Sequence, residues 1–432
     1  MKVYSVNARK DICGLHACLR HAMRLGRWAG YFPVQGLNQL TADGTRFKYK
    51  SIYSVYHILT IIGQVVMSCS SLVWFFQSDV TLSSISNVIF YVTGLISAYL
   101  FVRLAQQWQN LMTKAAETEL SLTKLRLDNR IIRKTSIIAY VIMALALVEH
   151  ILCTSFNVKI VMKCLEEDEI TSNVMSNYVM YRMPYVFHYI PYNAFNAALS
   201  EFICIQATFI WSFTDVLAIC FSIYITAYFN SLNKIISSKK NNNSITWSQL
   251  RQHYSKLVVL VKEIDAQISS FILLSFFTDL FFICLQLFNS LHRNYANFCD
   301  DSKTSDVLSS PDYLLYYVYS FLFLVFRTLS LSLFAANVHS AAQEPMLSVY
   351  DVPAPEYDQE VQRFQLQLRF TKIALSGKFF YVTRNMVLQV LGTIITYELV
   401  LLQFSVNNEQ YILTTTFTNN TINSTLMDTT EA

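Results

Sequence analysis

The sequence predicts an all-α membrane protein with seven helices that cross the bilayer, and three observations lead to this fold class. Only 14% of the 432 residues are charged, about half the usual share, while 53% are hydrophobic. The apolar residues gather in seven long runs, and Lys and Arg concentrate on one side of those runs. A soluble protein of this size could not shield so much apolar surface from water, so lipid must solvate part of it.

The seven apolar runs are long enough to cross a hydrocarbon core of about 30 Å, which takes roughly 20 helical residues. Isolated strands would leave unpaired backbone groups in lipid, so we predict helices. The predicted spans are Ser51–Gln77, Ser84–Leu104, Thr135–Val158, Glu201–Phe229, Ala266–Leu291, Tyr313–Val338 and Phe379–Phe404.

Positive charge is divided unequally between the two sides of these spans, and this division sets the orientation. Of the 33 Lys and Arg residues, 27 fall on the side of the N-terminus, five fall on the other side, and Arg327 lies within a span. We therefore predict a cytosolic N-terminus and, after seven spans, an extracellular C-terminus. The tail after Phe404 agrees, because it lacks Lys and Arg and carries glycosylation acceptors at Asn419 and Asn423.

The last predicted span ends in TYELVLLQF, residues 396–404, which fits a motif of insect gustatory receptors: Thr-Tyr, five mostly apolar residues, then Gln-Phe. Other stretches resemble the sugar-receptor branch of that family: VEHIL (148–152), ATFIWSFTDV (207–216), FFICLQLFNSL (281–291), FRTLSLSL (326–333) and GKFFYVTR (377–384). The resemblance thus runs from the third span to the C-terminus.

This resemblance implies a pore-forming tetramer in the plasma membrane of gustatory neuron dendrites, whose cation pore opens when a sugar binds. The expected partners are a sugar, membrane lipid and identical or related receptor subunits. We expect neither nucleic acid, since there is no basic stripe, nor a cofactor or metal. The chain divides into a cytosolic N-terminal segment (1–50), a six-helix ligand-sensing domain (51–338), a cytosolic anchor segment (339–378), a pore-lining helix (379–404) and an extracellular tail (405–432).

Polar and aromatic side chains recur on single faces of several spans, as a sugar pocket requires. Sugars are held by hydrogen bonds from carboxylates and amides, and by aromatic faces against the C–H surfaces of the ring. In the fourth span, steps of three and four place Glu201, Thr208, Trp211 and Asp215 on one face. The predicted sugar-binding residues are Glu149, His150, Thr208, Trp211, Asp215, Asp279, Gln286, Asn289 and Tyr317.

Ionisable side chains within the spans have an alternative interpretation. Such a group costs about 2.5–3.5 kcal/mol at the bilayer centre, and is therefore normally functional or paired. Asp215, Asp279 and Arg327 could form ion pairs between helices, and for Arg327 we favour that interpretation. For Asp215 we favour sugar contact, because Trp211 lies one turn away on the same face. His150 has three possible roles: a core histidine, a hydrogen-bond donor in the pocket, or a member of a proton relay.

The connection between the sixth and seventh spans predicts an amphipathic helix. After three prolines, Val361, Phe364, Leu368 and Lys372 follow helical spacing up to Gly377, which we expect to cap the helix. The segment is either a surface helix or part of the tetrameric anchor, and the resemblance favours the anchor.

The outer end of the seventh span carries the predicted gate. The resemblance places closing residues at Gln403 and Phe404. A ring of Phe404 side chains would close the pore by dewetting, and a modest helix rotation would bring Gln403 to the axis instead. Thr396 and Tyr397, deeper in the membrane, would couple the pocket to this gate. The alternative is that Phe404 anchors the helix at the membrane interface.

The nine cysteines form no CxxC pair and no metal-ligand spacing. Most lie in apolar runs, where a thiol behaves as a small hydrophobic group. Only Cys164 and Cys299 fall in predicted extracellular loops, and we expect them to form a disulfide there.

The resemblance and the candidate residues predict a sugar-gated, non-selective cation channel, and two alternatives are considered. An ion-coupled secondary transporter usually shows internal repeats and helices broken at mid-membrane, which are not visible here. A G-protein-coupled receptor also has seven helices, but has the opposite orientation and carries DRY and NPxxY strings that this sequence lacks. We do not expect an enzyme, since no nucleophile elbow, HExxH or phosphate loop occurs.

Overall fold

A computed structural model of the chain describes residues 14–39, 44–78, 80–122, 125, 127–164, 167–239, 245–291, 311–397, 399–400 and 403, the side chains of 164–173, 290 and 291 excepted. The described part is almost wholly helical, which confirms the all-α class. Its one sheet pairs two short antiparallel strands, β1 (Val34–Gln35) and β2 (Arg46–Phe47).

The helices in chain order are α1 (Leu15–Trp28), α2 (Ile52–Gln77), α3 (Leu82–Ser121), α4 (Arg130–Cys164), α5 (Glu167–Arg182), α6 (Pro184–Phe187), α7 (Ala194–Lys239), α8 (Trp247–Leu291), α9 (Pro311–Gln343), α10 (Pro345–Tyr350), α11 (Gln359–Phe370) and α12 (384–397). In the described part, α2, α3, α4, α7, α8 and α9 are long and apolar enough to cross a membrane. They coincide with the first six predicted spans. A short 3₁₀ turn at Ala354–Glu356 lies between α10 and α11.

Several of these helices are far longer than a bilayer requires. The 46 residues of α7 extend about 69 Å at about 1.5 Å per residue, more than twice the thickness of the hydrocarbon core. The predicted span Glu201–Phe229 covers only the apolar part of this helix. The additional turns of α3, α7 and α8 form a helical base on the side of the molecule where α1 lies, and α7 is central, packing against α1, α2, α3, α4, α8 and α9.

The N-terminal segment contributes to that base. Leu15, Leu19 and Met23 are buried on one face of α1, which packs against α3, α4 and α7. Glu119 of α3 holds the start of the helix: its Oε1 accepts the N–H of Leu15 at 2.7 Å and the hydroxyl of Tyr224 at 2.5 Å. The N-terminal segment predicted for residues 1–50 therefore includes a docked amphipathic helix.

The amphipathic helix predicted between the last two spans is present as α11, with Val361, Phe364 and Leu368 buried. Asp358 caps its start, since Oδ1 accepts the N–H of Val361 at 2.9 Å. The predicted end was wrong. The helix stops at Phe370, so Lys372 is exposed beyond it and does not continue the buried face.

Gly377 does not cap α11 but lies in a turn that folds the chain back on itself. Ser376 and Tyr381 form an antiparallel bridge, and Lys378 between them has a positive φ of 67°. Asp265 of α8 fixes this turn, because its two carboxylate oxygens accept the N–H and the hydroxyl of Ser376, each at 2.7 Å. A tertiary contact, which local spacing does not reveal, determines the conformation here.

Because of this turn, the last helix begins at residue 384, five residues after the predicted start at Phe379. Thr383 caps it, with Oγ1 accepting the N–H of Met386 at 3.3 Å. Residues 399, 400 and 403 are also helical. Within a single chain most side chains of this helix are exposed.

Candidate functional site

The centre of the helix bundle contains a buried ion triad, made of Arg327 on α9, Asp215 on α7 and Asp279 on α8. The Nε atom of Arg327 lies 2.7 Å from Oδ2 of Asp215, and its Nη2 lies 2.7 Å from Oδ1 of Asp279. All three side chains are at most 1% exposed. The interpretation of Arg327 as an interhelical ion pair is confirmed.

Further contacts complete the surroundings of the guanidinium group. Its Nη1 donates to the hydroxyl of Ser212 at 2.8 Å, and the hydroxyl of Thr328 donates to the second oxygen of Asp279 at 2.9 Å. The ring centre of Trp211 lies 4.3 Å from the guanidinium carbon, within cation–π range. Asp279 thus receives charge and two hydrogen bonds. Asp215 is held mainly by the charge of Arg327, and the hydroxyl of Ser275 lies within interaction range of its carboxylate.

A second group of ionisable residues, the polar cluster, consists of His150 on α4, Arg182 on α5, and Glu201 and Thr208 on α7. The carboxylate of Glu201 lies 3.7 Å from Nε2 of His150 and 3.7 Å from Nε of Arg182. The hydroxyl of Thr208 lies 3.4 Å from Nδ1 of His150. These separations exceed those of well-formed hydrogen bonds. Both oxygens of Glu201 are buried, and neither accepts a hydrogen bond from a described residue.

Arg182 is the member of this cluster that sequence reasoning missed. It ends α5, a helix in the connection between the third and fourth spans that was treated as a loop. Its Nη1 and Nη2 lie 3.7 and 3.6 Å from the sulfur atoms of Cys153 and Cys204. The sequence did contain one sign of its importance, because Arg182 is one of only five basic residues on its side of the predicted spans.

A chain of hydrogen bonds connects α4, α8 and α9 beside the polar cluster. Ser320 donates to Oε1 of Glu149 at 2.9 Å, and Gln286 donates to Ser320 at 3.0 Å. Tyr317 donates to the backbone carbonyl of Gln286 at 2.7 Å. Glu149 lies within electrostatic range of Arg327, His150 and Arg182, so this chain bridges the ion triad and the polar cluster.

Two buried polar atoms near these hydrogen bonds have no hydrogen-bond partner among the described residues: Nε1 of Trp211 and Oε1 of Gln286. Aromatic faces accompany them. The ring of Trp211 lies 4.7 Å from that of Phe282, and Phe156 stacks on Tyr316 at 5.4 Å. Open donors and acceptors beside aromatic faces are the combination that a sugar requires.

The structure thus distributes eight of the nine predicted sugar-binding residues among three settings. Asp215, Asp279 and Trp211 surround Arg327, while His150 and Thr208 belong to the polar cluster. Glu149, Gln286 and Tyr317 form the hydrogen-bonded chain, and Asn289 is half-buried further along α8. Within the described ranges no three His, Cys, Asp or Glu side chains are placed to hold a metal ion.

The predicted pore and surface residues are only partly described. Thr396, Tyr397 and Gln403 are exposed on the last helix, and the hydroxyl of Thr396 donates to the carbonyl of Gly392 at 2.9 Å. Four predicted residues lie outside the described ranges: Phe404 of the gate, the glycan acceptors Asn419 and Asn423, and Cys299 of the disulfide. The side chain of Cys164 is not described either, so the predicted disulfide stays a prediction.

The chain is similar to known proteins along almost its whole length. Residues 5–412 match the family described as the trehalose receptor. Gustatory receptor for sugar taste 64f of Drosophila melanogaster is 28% identical over 404 residues, which cover 91% of this chain and 81% of that protein. Gustatory receptor 5a for trehalose, from the same fly, is 29% identical over 378 residues, with 86% and 81% covered.

Among solved structures, the insect olfactory receptor OR5 from Machilis hrabei in complex with eugenol is similar, with a TM-score of 0.61. The match covers 89% of this chain and 97% of that receptor. The sequence identity is 14%, so this likeness concerns the fold alone.

Proposed function

This chain belongs to the trehalose receptor family, the sugar branch of the insect gustatory receptors, and on that premise we propose that it is a sugar-gated, non-selective cation channel. It is a multi-pass membrane protein and not an enzyme. The observation that carries the proposal is the polar cluster, in which three helices gather Glu201, Arg182 and His150 without pairing them closely.

The chemistry of this cluster suits a ligand rich in hydroxyl groups. A sugar hydroxyl can donate to a carboxylate oxygen of Glu201 and accept from the guanidinium group of Arg182. Hydrogen bonds to charged groups contribute about 1.5–3 kcal/mol each, so a few of them suffice for selective binding. Trp211 and Gln286 offer an open donor and an open acceptor nearby, and Tyr317 offers an aromatic face.

For Asp215 and Asp279 we propose a supporting role. Each carboxylate already lies 2.7 Å from a guanidinium nitrogen of Arg327 in a fully buried setting, and direct sugar contact would require that pairing to open. The triad holds Trp211 in place through the cation–π contact, and so shapes the floor of the pocket. The prediction of direct sugar contact by Asp215 stays a prediction, tested below.

The pore would be formed by the last helix of four subunits. Apolar side chains lie exposed along it in a single chain, with Leu388 67%, Ile395 61% and Leu399 56% exposed. Such a surface needs lipid or other subunits as neighbours. In this arrangement Gln403 and Phe404 form the gate. Thr396 and Tyr397, exposed in the single chain, couple the gate to the pocket through contacts made in the assembly.

Current recording tests the channel function most directly. Cells that express this chain, alone or with related subunits, should show large sugar-evoked cation currents without added G protein. Sugar uptake without such currents would favour the secondary transporter, and a response that requires a G protein would favour the G-protein-coupled receptor. A panel of sugars in the same assay identifies the ligand.

The gate is tested by Phe404→Ala. If a ring of Phe404 side chains closes the pore, this change should raise the current in the absence of sugar, because a smaller side chain leaves the constriction wet. If Phe404 only anchors the helix at the interface, surface expression should fall instead. Normal expression with silent basal current and an unchanged sugar response would contradict the gate.

The orientation is tested through the tail. With a cytosolic N-terminus and seven spans, the tail is extracellular and should carry glycans on Asn419, Asn423 or both. Glycosidase treatment should then increase the mobility of the wild-type chain, but not that of a variant with both asparagines changed to Gln. A C-terminal epitope that is reached only after permeabilisation would reverse the orientation.

A further inference from the structure

We propose that a cavity between α4 and α7, at the edge of the helical base, binds the phosphate headgroup of an anionic membrane lipid. The cavity has a volume of about 520 Å³ and lies where α4 begins and the apolar part of α7 ends. Its rim carries the cationic side chains of Arg130, Lys134 and Lys234. The sugar site and the pore use none of these residues.

The position of the cavity matches the surface of the bilayer. Lys134 directly precedes Thr135, where the predicted third span begins, and Lys234 follows the end of the fourth span at Phe229 by little more than one turn. The proposed orientation, on which this inference rests, places both lysines at the cytosolic surface. The cytosolic leaflet is the one that contains anionic lipids.

Among the described residues, the positive charge of the cavity is not fully balanced by carboxylates. Asp128 is the one carboxylate among the described residues that line it, and it is paired with Arg130, whose Nε atom lies 3.3 Å from Oδ2. Its other oxygen accepts the N–H of Arg130 at 2.9 Å. Lys134 and Lys234 have no anionic partner among the described residues, although Lys134 lies 5.4 Å from the ring centre of Phe334. Two exposed ammonium groups therefore stand over one cavity, an arrangement that suits a phosphate group.

The remaining lining distinguishes a lipid from a free anion. Half-buried Ile131 and Ile235 and buried Leu125 provide an apolar wall below the cations. A phosphate in water gains nothing from such a wall, whereas the glycerol and upper acyl chain of a lipid pack against it. The start of α4 adds the positive end of a helix dipole. The ligand class is therefore an anionic phospholipid.

The test uses the full chain in phosphatidylcholine nanodiscs that contain about 5% of a bisphosphorylated phosphatidylinositol, with bound lipid measured by native mass spectrometry. Removing both charges in Lys134→Gln/Lys234→Gln should weaken lipid binding about 30-fold, because each lysine near an anionic surface contributes about a factor of five. The control Lys256→Gln/Lys262→Gln removes two exposed lysines from α8 and should retain wild-type binding. Lys134→Arg/Lys234→Arg should retain it as well.

Each outcome bears on the proposal. Wild-type protein that shows no preference for the phosphorylated lipid over phosphatidylcholine overturns it, whatever the variants do. Equal losses in the cavity variant and the control would show a general charge effect and also overturn it. If the soluble inositol phosphate headgroup binds as tightly as the lipid, the ligand is a free phosphate and the lipid assignment fails. Both leaflets of a nanodisc are accessible and no sugar is present, so failure here leaves the channel proposal and its orientation untouched.

Discussion

The ion triad and the polar cluster use the same kinds of side chain, but they differ in how completely those side chains are paired. In the triad, Arg327 meets two carboxylates at 2.7 Å, and all three groups are buried. In the polar cluster, Glu201 lies 3.7 Å from each of its two partners and is 20% exposed. The charges of the triad are closely paired, whereas those of the polar cluster are paired more loosely.

On the proposed function, this difference separates the residues that support the fold from those that bind the sugar. An ionisable group within a span is either functional or paired, and the sequence alone does not say which. The distances between the charged atoms and their burial show how closely each group is paired. Desolvation of the triad is offset only while all three charges remain together, so its members are committed to one another. The members of the polar cluster keep donors and acceptors available.

The largest expected effect comes from breaking the triad. Arg327→Met leaves Asp215 and Asp279 buried and unpaired, which should cost about 3–5 kcal/mol of stability. We expect loss of surface expression and a strongly lowered Tm of the purified protein. Adding Asp215→Asn and Asp279→Asn to this variant should recover part of the loss, since no uncompensated charge remains. A well-expressed, stable Arg327→Met protein would show that the triad does not support the fold.

Asp215→Asn alone distinguishes sugar contact by Asp215 from a supporting role in the triad. If Asp215 supports the structure, the variant should express poorly, because Arg327 loses the carboxylate that lies 2.7 Å from its Nε atom. If Asp215 contacts the sugar, expression should be normal and the dose–response curve should move to higher sugar concentrations. Surface biotinylation together with current recording distinguishes the two results.

The polar cluster should respond in the opposite manner. Glu201→Gln keeps the size of the side chain but removes its charge, and we expect a shift of about 10- to 100-fold in the sugar dose–response curve, equivalent to one charged hydrogen bond. Surface expression should stay normal. Glu117→Gln, the same chemical change at an exposed position of α3, is the matched control and should leave the curve unchanged. An unshifted Glu201→Gln curve would remove this cluster from the sugar site.

Trp211 lies between the two regions, and Trp211→Phe shows to which it belongs. Phenylalanine retains an aromatic face over Arg327 but removes the indole N–H, which has no partner among the described residues. We expect a shift of about three- to tenfold in the dose–response curve, the equivalent of one neutral hydrogen bond, with normal expression. A change in Tm without a change in the curve would place Trp211 with the triad alone.

The sequence was informative where the bilayer imposes a local rule. Long apolar runs had to be helices, and the first six spans follow from that requirement. The sequence was uninformative about where the helices end. The helix α7 continues past its apolar part through polar and charged residues to Lys239, and hydropathy gives no sign of this. Gly377 was misread for a related reason, since Asp265, more than a hundred residues away, determines the turn.

The same limit applies to the site. Helical spacing correctly placed Trp211 and Asp215 on one face, and both meet Arg327. Periodicity cannot say which charged side chains from other helices face them. Arg182 was missed because it acts across the bundle, from a helix that has no apolar signature. Partner choice is a tertiary property, and it decides whether a carboxylate supports the fold or receives a ligand.

The smallest expected effect concerns a site at the base that inverts the triad, with one carboxylate between two guanidinium groups. Glu360 accepts hydrogen bonds from Arg251 at 2.9 Å and from Arg363 at 2.8 Å. These two hydrogen bonds hold the pKa of Glu360 below its ordinary value, and the bond from Arg251 has the larger effect. The carboxylate lies near the surface, where water and salt screen the charges, so its contribution should be far smaller than that of the triad.

The sign of the pH effect follows from the lowered pKa. A carboxylate that is more acidic in the folded chain stabilises the fold above the unfolded pKa, about 4.3, and loses that contribution as pH falls through the lower folded value. Glu360→Gln should therefore lower the Tm by at most about 2 °C at neutral pH, and this difference should shrink below about pH 4 and at high salt. Thermal unfolding of wild-type and Glu360→Gln protein across pH measures it. If the Tm fell as far as in Arg327→Met, burial would not be what separates strong from weak charge clusters in this molecule.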